Sequence, residues 1–216
     1  MSKELDIYTT LQDRLIFNGF EHGAKLRAEL LAKEFGCSAS TVREALFRLS
    51  TVGLVRFQEQ RGFRVTEKSA TKLAELTHLR VLLEGEGAVL SIRNGGVSWG
   101  ARLTAAHYKL SYIEKQIRGC ENPETLADIW SLSEKEFHQT LISACGSDTL
   151  QQMHGRIYAQ FRQQLMVVDM RFDFISENIQ HHASILEAVM SGDEDLTRQR
   201  IHEHLERHLV GDTLGD

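Results

Sequence analysis

The sequence predicts a mainly α protein with two parts, an N-terminal domain of three helices and a small β-hairpin, and a C-terminal all-α helical bundle. Apolar residues recur at helical spacing along most of the 216 residues, and strand-like alternation is confined to residues 55–66. The chain has one proline, Pro123, and little clustering of glycine and serine. This composition favours helices joined by short turns.

Composition excludes several classes of protein. Hydrophobic residues make up 42% and charged residues 25% of the chain, as in ordinary globular proteins. The cysteines are odd in number and scattered, at Cys37, Cys120 and Cys145, which excludes a disulfide framework and favours a reducing compartment. No apolar run approaches the roughly 18 residues of a membrane span, and the N-terminus lacks the apolar core of a signal peptide. We therefore expect a cytoplasmic protein without a membrane partner.

The charge is distributed unevenly along the chain. The formal net charge is −5. Residues 1–68 contain 11 Lys and Arg against 9 Asp and Glu, whereas the remainder contains 14 against 21. This asymmetry indicates two domains with different chemistry.

Three helices are predicted in the N-terminal domain. The first two cover residues 5–18 and 27–35. The third follows Ser38, a residue type typical of an N-cap, and ends before Gly53, which fits a left-handed C-cap. A glycine-containing turn of few residues separates the second and third helices, and this is the spacing of a helix-turn-helix.

A hairpin follows these helices directly. Residues 55–58 (VRFQ) and 63–66 (FRVT) alternate around the turn at 59–62, so the domain is predicted to be a winged helix-turn-helix. The third helix opens with hydroxyl donors and a cation suited to phosphate oxygens and base edges: Ser38, Ser40, Thr41 and Arg43. The alternative is that Ser38 and Thr41 only cap the helix and that Arg43 is a solvated charge.

Residues 30–65 resemble the winged-helix domain of the GntR family of bacterial transcription regulators. The shared motifs are Leu31-Ala32, Gly36, Val42-Arg43-Glu44-Ala45-Leu46, Arg48-Leu49, Gly53-Leu54-Val55 and Arg61-Gly62. The resemblance implies contacts with operator DNA from Arg27, Ser38, Ser40, Thr41, Arg43, Arg61 and Gly62. Ala39 and Glu29 stand where family members often carry arginine, and Arg27 or Arg56 is expected to supply substitute charge.

Six amphipathic helices are predicted for the C-terminal bundle, near residues 72–93, 100–119, 124–144, 149–171, 176–191 and 194–210. Glu134 and His138 share one apolar face, and His182 lies at the centre of another. In the last helix, periodicity does not choose between His204 and His208. A buried carboxylate with three imidazoles would suit Zn²⁺, Ni²⁺ or Mn²⁺ with open positions for a ligand. The alternative is a set of ordinary surface or hydrogen-bonded core histidines.

Residues 75–210 resemble the FCD domain of the FadR-like branch of GntR regulators, a helical bundle that binds a small effector. The matching motifs are Glu134 to His138, His182 before Ile185-Leu186-Glu187-Ala188, Gly192-Asp193 and His204-Leu205. The resemblance selects His204 over His208 and implies the metal ligands Glu134, His138, His182 and His204. Glu134 stands where the family commonly has Asp. Arg80 and Glu84 also match, and Arg80 is expected to neutralise an anionic group of the effector.

These observations predict a transcription regulator. We expect a winged helix-turn-helix over residues 1–68, a linker over 69–76, an FCD-like effector and metal domain over 77–210 and a tail over 211–216. The expected partners are double-stranded operator DNA, a small carboxylate effector and a second copy of the chain in a homodimer, with nucleoid association when DNA is bound. A divalent ion (Zn, Ni or Mn) is the expected cofactor.

Two alternatives remain for the function. The ion itself could be the signal, or the bundle could be a metal-dependent hydrolase fused to a DNA-binding domain. Against an enzyme, no separate general base or nucleophile lies near these motifs, and Glu136 faces about 200° away from Glu134 around the helix. We therefore predict that the chain is not an enzyme.

Overall fold

The computed structural model of the chain describes residues 3–17, 19–165 and 175–210. Within this part, the chain forms two compact units. The first contains the N-terminal residues up to Leu73 and the segment from Ala159, and the second contains the rest. None of the described helices is long and apolar enough to cross a membrane.

The first unit contains three helices and a three-stranded sheet. The helices are α1 (Lys3–Ile16), α2 (Ala28–Phe35) and α3 (Ala39–Thr51), and the strands are β1 (Lys25–Leu26), β2 (Val55–Gln58) and β3 (Gly62–Val65). The antiparallel sheet has the order β1-β3-β2, with Phe57 opposite Phe63. The predicted winged helix-turn-helix is confirmed. Strand β1 was not predicted because two residues are too few to show alternation.

Both predicted ends of α3 are confirmed. The Ser38 hydroxyl accepts a hydrogen bond from the Thr41 backbone N–H at 3.1 Å. At the other end, Gly53 has φ +78°, a conformation that side chains with a Cβ rarely adopt. The Leu54 N–H then donates to the Leu49 carbonyl at 3.2 Å, as in a Schellman motif. Leu54 is fully buried, so this motif anchors the start of the wing to the core.

The second unit is built from helices alone among the described residues. They are α4 (Ala70–Asn94), α5 (Gly96–Arg118), a short 3₁₀ helix (Pro123–Leu126), α6 (Ala127–Leu141), α7 (Asp148–Leu165), α8 (Ile175–Ser191) and α9 (Glu194–Val210). The predicted all-α bundle is confirmed. The last turns of α7 are grouped with the first unit.

Two predicted segments differ from the observed elements, and two others lie outside the described residues. The helix predicted over 124–144 begins as the 3₁₀ helix and its α-helical part ends at Leu141. The predicted linker 69–76 is helical from Ala70, because Leu73 and Leu76 continue the buried face of α4. Residues 166–171 of the predicted fourth bundle helix, and the predicted tail 211–216, lie outside the described residues.

Helix α4 buries polar residues and exposes leucines. Arg80 and Glu84 are fully buried, whereas Leu79 and Leu82 are 40% and 55% exposed. Arg80 and Glu84 lie one turn apart and form an ion pair at 2.6 Å, which offsets the cost of removing both charges from water. The inward face of α4 therefore serves a polar site.

The apolar core of the second unit lies around the polar site. Fully buried members of this core include Leu103, Leu110, Phe137, Leu141, Ile185, Ile201 and Leu205. Phe137 precedes His138 directly, and Leu205 follows His204 directly. The same packing that buries these apolar side chains fixes the helices that carry the histidines.

Candidate nucleic-acid interface and metal centre

One cleft of the first unit gathers most of the residues predicted to contact DNA. Five of the seven line it: Arg27, Ser40, Arg43, Arg61 and Gly62. They come from the start of α2, from α3 and from the turn of the wing. Lys25 of β1 lines the same cleft and was missed, because no motif marks a lysine in so short a strand. Their contacts with DNA stay predictions.

The remaining two predicted residues lie at the start of α3. The Ser38 and Thr41 hydroxyls are 2.8 Å apart, and Ser38 also caps the helix. The alternative interpretation, in which Ser38 caps the helix, is therefore correct for Ser38. The backbone N–H groups at the N-terminal end of α3 favour anions, so a phosphate contact there stays a prediction.

Arg43 is not a solvated lone charge. Its guanidinium Nη2 pairs with the Glu29 carboxylate, and both side chains are more than half exposed. Glu29 is the residue that stands where GntR regulators often carry arginine. At the wing turn, Gly62 has φ +80°, which favours glycine on conformational grounds.

Four buried donor groups converge inside the second unit. Glu134 and His138 lie one turn apart on α6, His182 comes from α8 and His204 from α9. One possible ligand atom from each lies within 4.8 Å of the others, and none of the four residues is more than 2% exposed. Ligands about 2.1 Å from one ion are at most about 4.2 Å apart, so the four donor atoms are nearly close enough together to share one ion.

One buried carboxylate orients the imidazole of His138 through a hydrogen bond, and a second lies against His182 without a hydrogen bond. His138 Nδ1 donates to Glu84 Oε2 at 2.8 Å, and His182 Nδ1 lies 3.2 Å from Glu114 Oε1. The Nε2 atoms of both histidines are buried and have no hydrogen-bond partner in the described chain. A carboxylate on one ring nitrogen that leaves the other for a ligand is the usual arrangement of metal-bound histidine. The donor set therefore fits Zn²⁺, Ni²⁺ or Mn²⁺.

Glu84 is the centre of a larger network. It accepts from Arg80 Nε at 2.7 Å and from His154 Nε2 at 2.8 Å, in addition to His138. Burial alone would raise the pKa of Glu84, but the Arg80 charge and the two histidine hydrogen bonds hold that pKa well below its ordinary value. Burial lowers the pKa of His138, with Glu84 opposing, which favours the neutral imidazole that a metal requires.

Arg80, predicted to contact the effector, is fully buried. Its guanidinium carbon also lies 4.7 Å from the centre of the Tyr158 ring. The contact with an effector stays a prediction.

Sequence reasoning missed Glu114 and gave His154 no role. A signal for Glu114 existed, because it lies on the apolar stripe of α5 between Leu110 and Ile117. The side chain of His208 lies outside the described residues.

Comparisons with known families match both domains. Residues 3–65 match the family described as bacterial regulatory proteins, gntR family. Residues 75–207 match the FCD domain.

Two named relatives have similar sequences over most of the chain. The uncharacterized HTH-type transcriptional regulator BphR of Paraburkholderia xenovorans is 30% identical over 187 residues, 87% of this chain and 76% of that protein. The HTH-type transcriptional repressor GlaR of Escherichia coli is 29% identical over 205 residues, 93% of this chain and 91% of that protein.

Two solved structures share the fold. Escherichia coli McbR/YncC superposes with a TM-score of 0.81 at 20% identity, covering 97% of this chain and 96% of that one. A putative transcriptional regulator GntR from Rhodococcus sp. RHA1 gives a TM-score of 0.76 at 21% identity, covering 98% and 99%. The matched families and named relatives are transcription regulators, not enzymes. The chain therefore belongs to the GntR family of bacterial regulatory proteins, and is a DNA-binding transcription regulator with an FCD domain.

Proposed function

We propose that this regulator binds operator DNA as a homodimer, and that a small organic acid held at a metal ion in the FCD domain controls this binding. The observation that carries the proposal is the convergence of Glu134, His138, His182 and His204, with two buried Nε2 atoms that lack hydrogen-bond partners. A buried imidazole nitrogen without a partner is costly, and a bound metal ion removes that cost.

The DNA-binding part of the proposal rests on the cleft of the first unit. Arg27, Arg43 and Arg61 carry positive charge there, and Ser40 adds a hydroxyl donor. These groups suit the phosphates and base edges of a groove, while Gly62 keeps the wing slim enough to approach the backbone. A single winged helix makes few contacts, so binding to two half-sites by a homodimer would raise affinity.

Exposed apolar residues support a homodimer. Leu79 and Leu82 lie three positions apart on α4, and both are at least 40% exposed. Residues at this spacing share a helix face, and covering such a face is favourable by roughly 25 cal/mol per Å² of apolar area. A second copy of the chain is the partner we propose for it.

A divalent ion at the four donors would leave coordination positions for the carboxylate of an effector. The protein groups hold this ion in place: Glu84 orients His138, and Glu114 faces His182. Arg80 is proposed to act on the anionic effector from within the same network. An effector controls operator binding only by having different affinities for the DNA-binding and non-binding states.

The test begins with metal content. The protein is purified without chelator, and bound metal is measured by mass spectrometry for the wild type, His138→Ala, His182→Ala and His202→Ala. His202 is an exposed histidine on α9 and serves as the matched control. We expect close to one ion per chain in the wild type and the control, and its loss in the other two variants. Absence of metal after reloading with zinc, nickel and manganese would contradict the proposed site.

Operator binding is then measured with the metal-loaded protein, with and without carboxylic acids. A change in affinity on adding an acid supports the proposal. Binding that depends on the metal alone, with no response to any acid, would favour the alternative in which the ion is the signal. Arg43→Ala is expected to weaken binding to all sequences tested and to reduce its salt dependence.

A further inference from the structure

Arg207 presents unused donors beside the metal centre. It lies on α9, three residues after His204, and therefore on a neighbouring part of the same helix face. Its Nη2 donates to Asn178 Oδ1 of α8. Its Nε and Nη1 are buried and have no hydrogen-bond partner within the described residues. Burying two guanidinium N–H donors without hydrogen-bond partners is unfavourable, which points to a ligand that accepts hydrogen bonds from them.

The surroundings of Arg207 connect it to the metal ligands. Burial lowers its pKa, and this is opposed by the carboxylates of Glu134, Glu177 and Glu114. Asn178, its hydrogen-bond partner, donates in turn to Glu114 Oε1 at 2.9 Å. Arg207 is therefore linked through Asn178 to the carboxylate that faces His182. The guanidinium group of arginine stays protonated in proteins, so Arg207 is positively charged.

The net charge of the groups around the site indicates whether it favours a cation or an anion. The charged groups around the site are three buried carboxylates, Glu84, Glu114 and Glu134, the buried Arg80, and Arg207, which is partly exposed but buries its Nε and Nη1 atoms. Together they leave one negative charge, which a divalent ion converts into one positive charge. An anion is therefore favoured only after the metal has bound.

Arg80 and Arg207 differ in the partners of their guanidinium groups. Arg80 uses its Nε and Nη2 on Glu84, at 2.7 and 2.6 Å. Arg207 has its only hydrogen bond in the described chain to a neutral amide, through Nη2. Its Nε and Nη1 are the donors that a carboxylate can engage without breaking an ion pair.

We propose that Arg207 and the metal ion form a two-point receptor, and that the effector is a small dicarboxylate. One carboxylate binds the ion and the second accepts hydrogen bonds from the Arg207 guanidinium. This inference rests on the proposed function and narrows its effector from organic acids in general to dicarboxylates. Arg207 thereby determines specificity, because a monocarboxylate would leave its donors unsatisfied.

Calorimetric titration of the zinc-loaded full-length protein tests this. The probes are unbranched dicarboxylates of three to six carbons and the monocarboxylates of the same lengths. We expect the best dicarboxylate to bind at least tenfold more tightly than its matched monocarboxylate. Arg207→Gln should abolish that preference while zinc content stays at the wild-type level, and Arg207→Lys should keep part of it. Arg200→Gln, which removes a partly exposed arginine of the same helix that pairs with Glu203, is the matched control.

The outcomes separate this inference from the proposed function. Equal binding of both acid series, or a preference unchanged in Arg207→Gln, would overturn the role of Arg207 and leave the metal-dependent effector site standing. Zinc binding with no binding of any acid would overturn both. Loss of zinc from Arg207→Gln would show that Arg207 supports the metal site itself and would also overturn the specificity role.

Discussion

Replacement of Glu84 by glutamine tests whether the buried carboxylate network supports the metal site. Glu84 accepts from three donors, on Arg80, His138 and His154, at 2.7 to 2.8 Å. A glutamine amide has one acceptor oxygen and one donor group, so at least one of these donors would face another donor. The buried Arg80 would also lose its counter-charge, and breaking a buried ion pair in this way costs about 3–5 kcal/mol.

We expect two measurable effects of Glu84→Gln. Urea unfolding of the chelator-treated protein should show a loss of about 3–5 kcal/mol from the unfolding free energy of the second unit. Competition against a chromogenic chelator should show zinc affinity about 10- to 100-fold weaker, because His138 is no longer held with Nε2 directed to the metal.

The matched control is Glu86→Gln, two residues along the same helix. Glu86 is about half exposed and pairs with Arg198 at 3.3 Å. An exposed pair of this kind contributes about 0–1 kcal/mol, so the control should resemble the wild type in both assays. A loss below about 1 kcal/mol for Glu84→Gln, together with zinc affinity within about threefold of the wild type, would refute the reasoning.

Three further predictions concern the DNA face, the helix end and pH. Glu29→Gln removes the carboxylate that pairs with Arg43 in the DNA-facing cleft. Operator affinity, measured by fluorescence anisotropy, should therefore rise by about three- to tenfold and depend more steeply on salt. Glu34→Gln on the same helix should change neither the affinity nor its salt dependence. Gly53→Ala places a Cβ at φ +78° and should cost about 1–2 kcal/mol, seen as a lower melting temperature with unchanged zinc content. The pKa of His138 is lowered from its ordinary 6.5 by burial, so the unfolded chain binds a proton first as pH falls. The unfolding free energy of chelator-treated protein should therefore decrease from pH 7.5 to 5.5, by up to about 1.4 kcal/mol per pH unit for this group, and a melting temperature that does not change over this range would contradict it.

The fold was predictable where local patterns carry the information. Ser38 and Gly53 marked both ends of α3, because capping and left-handed turns depend on residue type. The start of α4 at Ala70 lies two residues before the predicted start near residue 72, because the capping role of Ser69, whose hydroxyl accepts from the Lys72 N–H at 3.2 Å, was not recognised. Strand β1 exists through pairing with β3 and has no periodicity of its own.

The four candidate metal ligands could be nominated from sequence because each lies on an apolar helix face. Their convergence could not, since it depends on how α6, α8 and α9 pack. Glu114 and Arg207 were missed for a related reason. A charged residue in an amphipathic helix is ordinarily placed at the surface, and only tertiary contacts reveal that these side chains face inward.

The distribution of the four donors along the chain has a consequence for folding. His138 and His182 are 44 positions apart, and His182 and His204 are 22 positions apart. An ion bound to all of them closes two long loops, and a cross-link over loops of this length removes about 3–4 kcal/mol of chain entropy each from the unfolded state. The donors lie on three helices, α6, α8 and α9, so an ion bound to them would complete the folding of the bundle instead of nucleating it. The ion would then act chiefly on the rate at which α9 detaches from the rest of the domain.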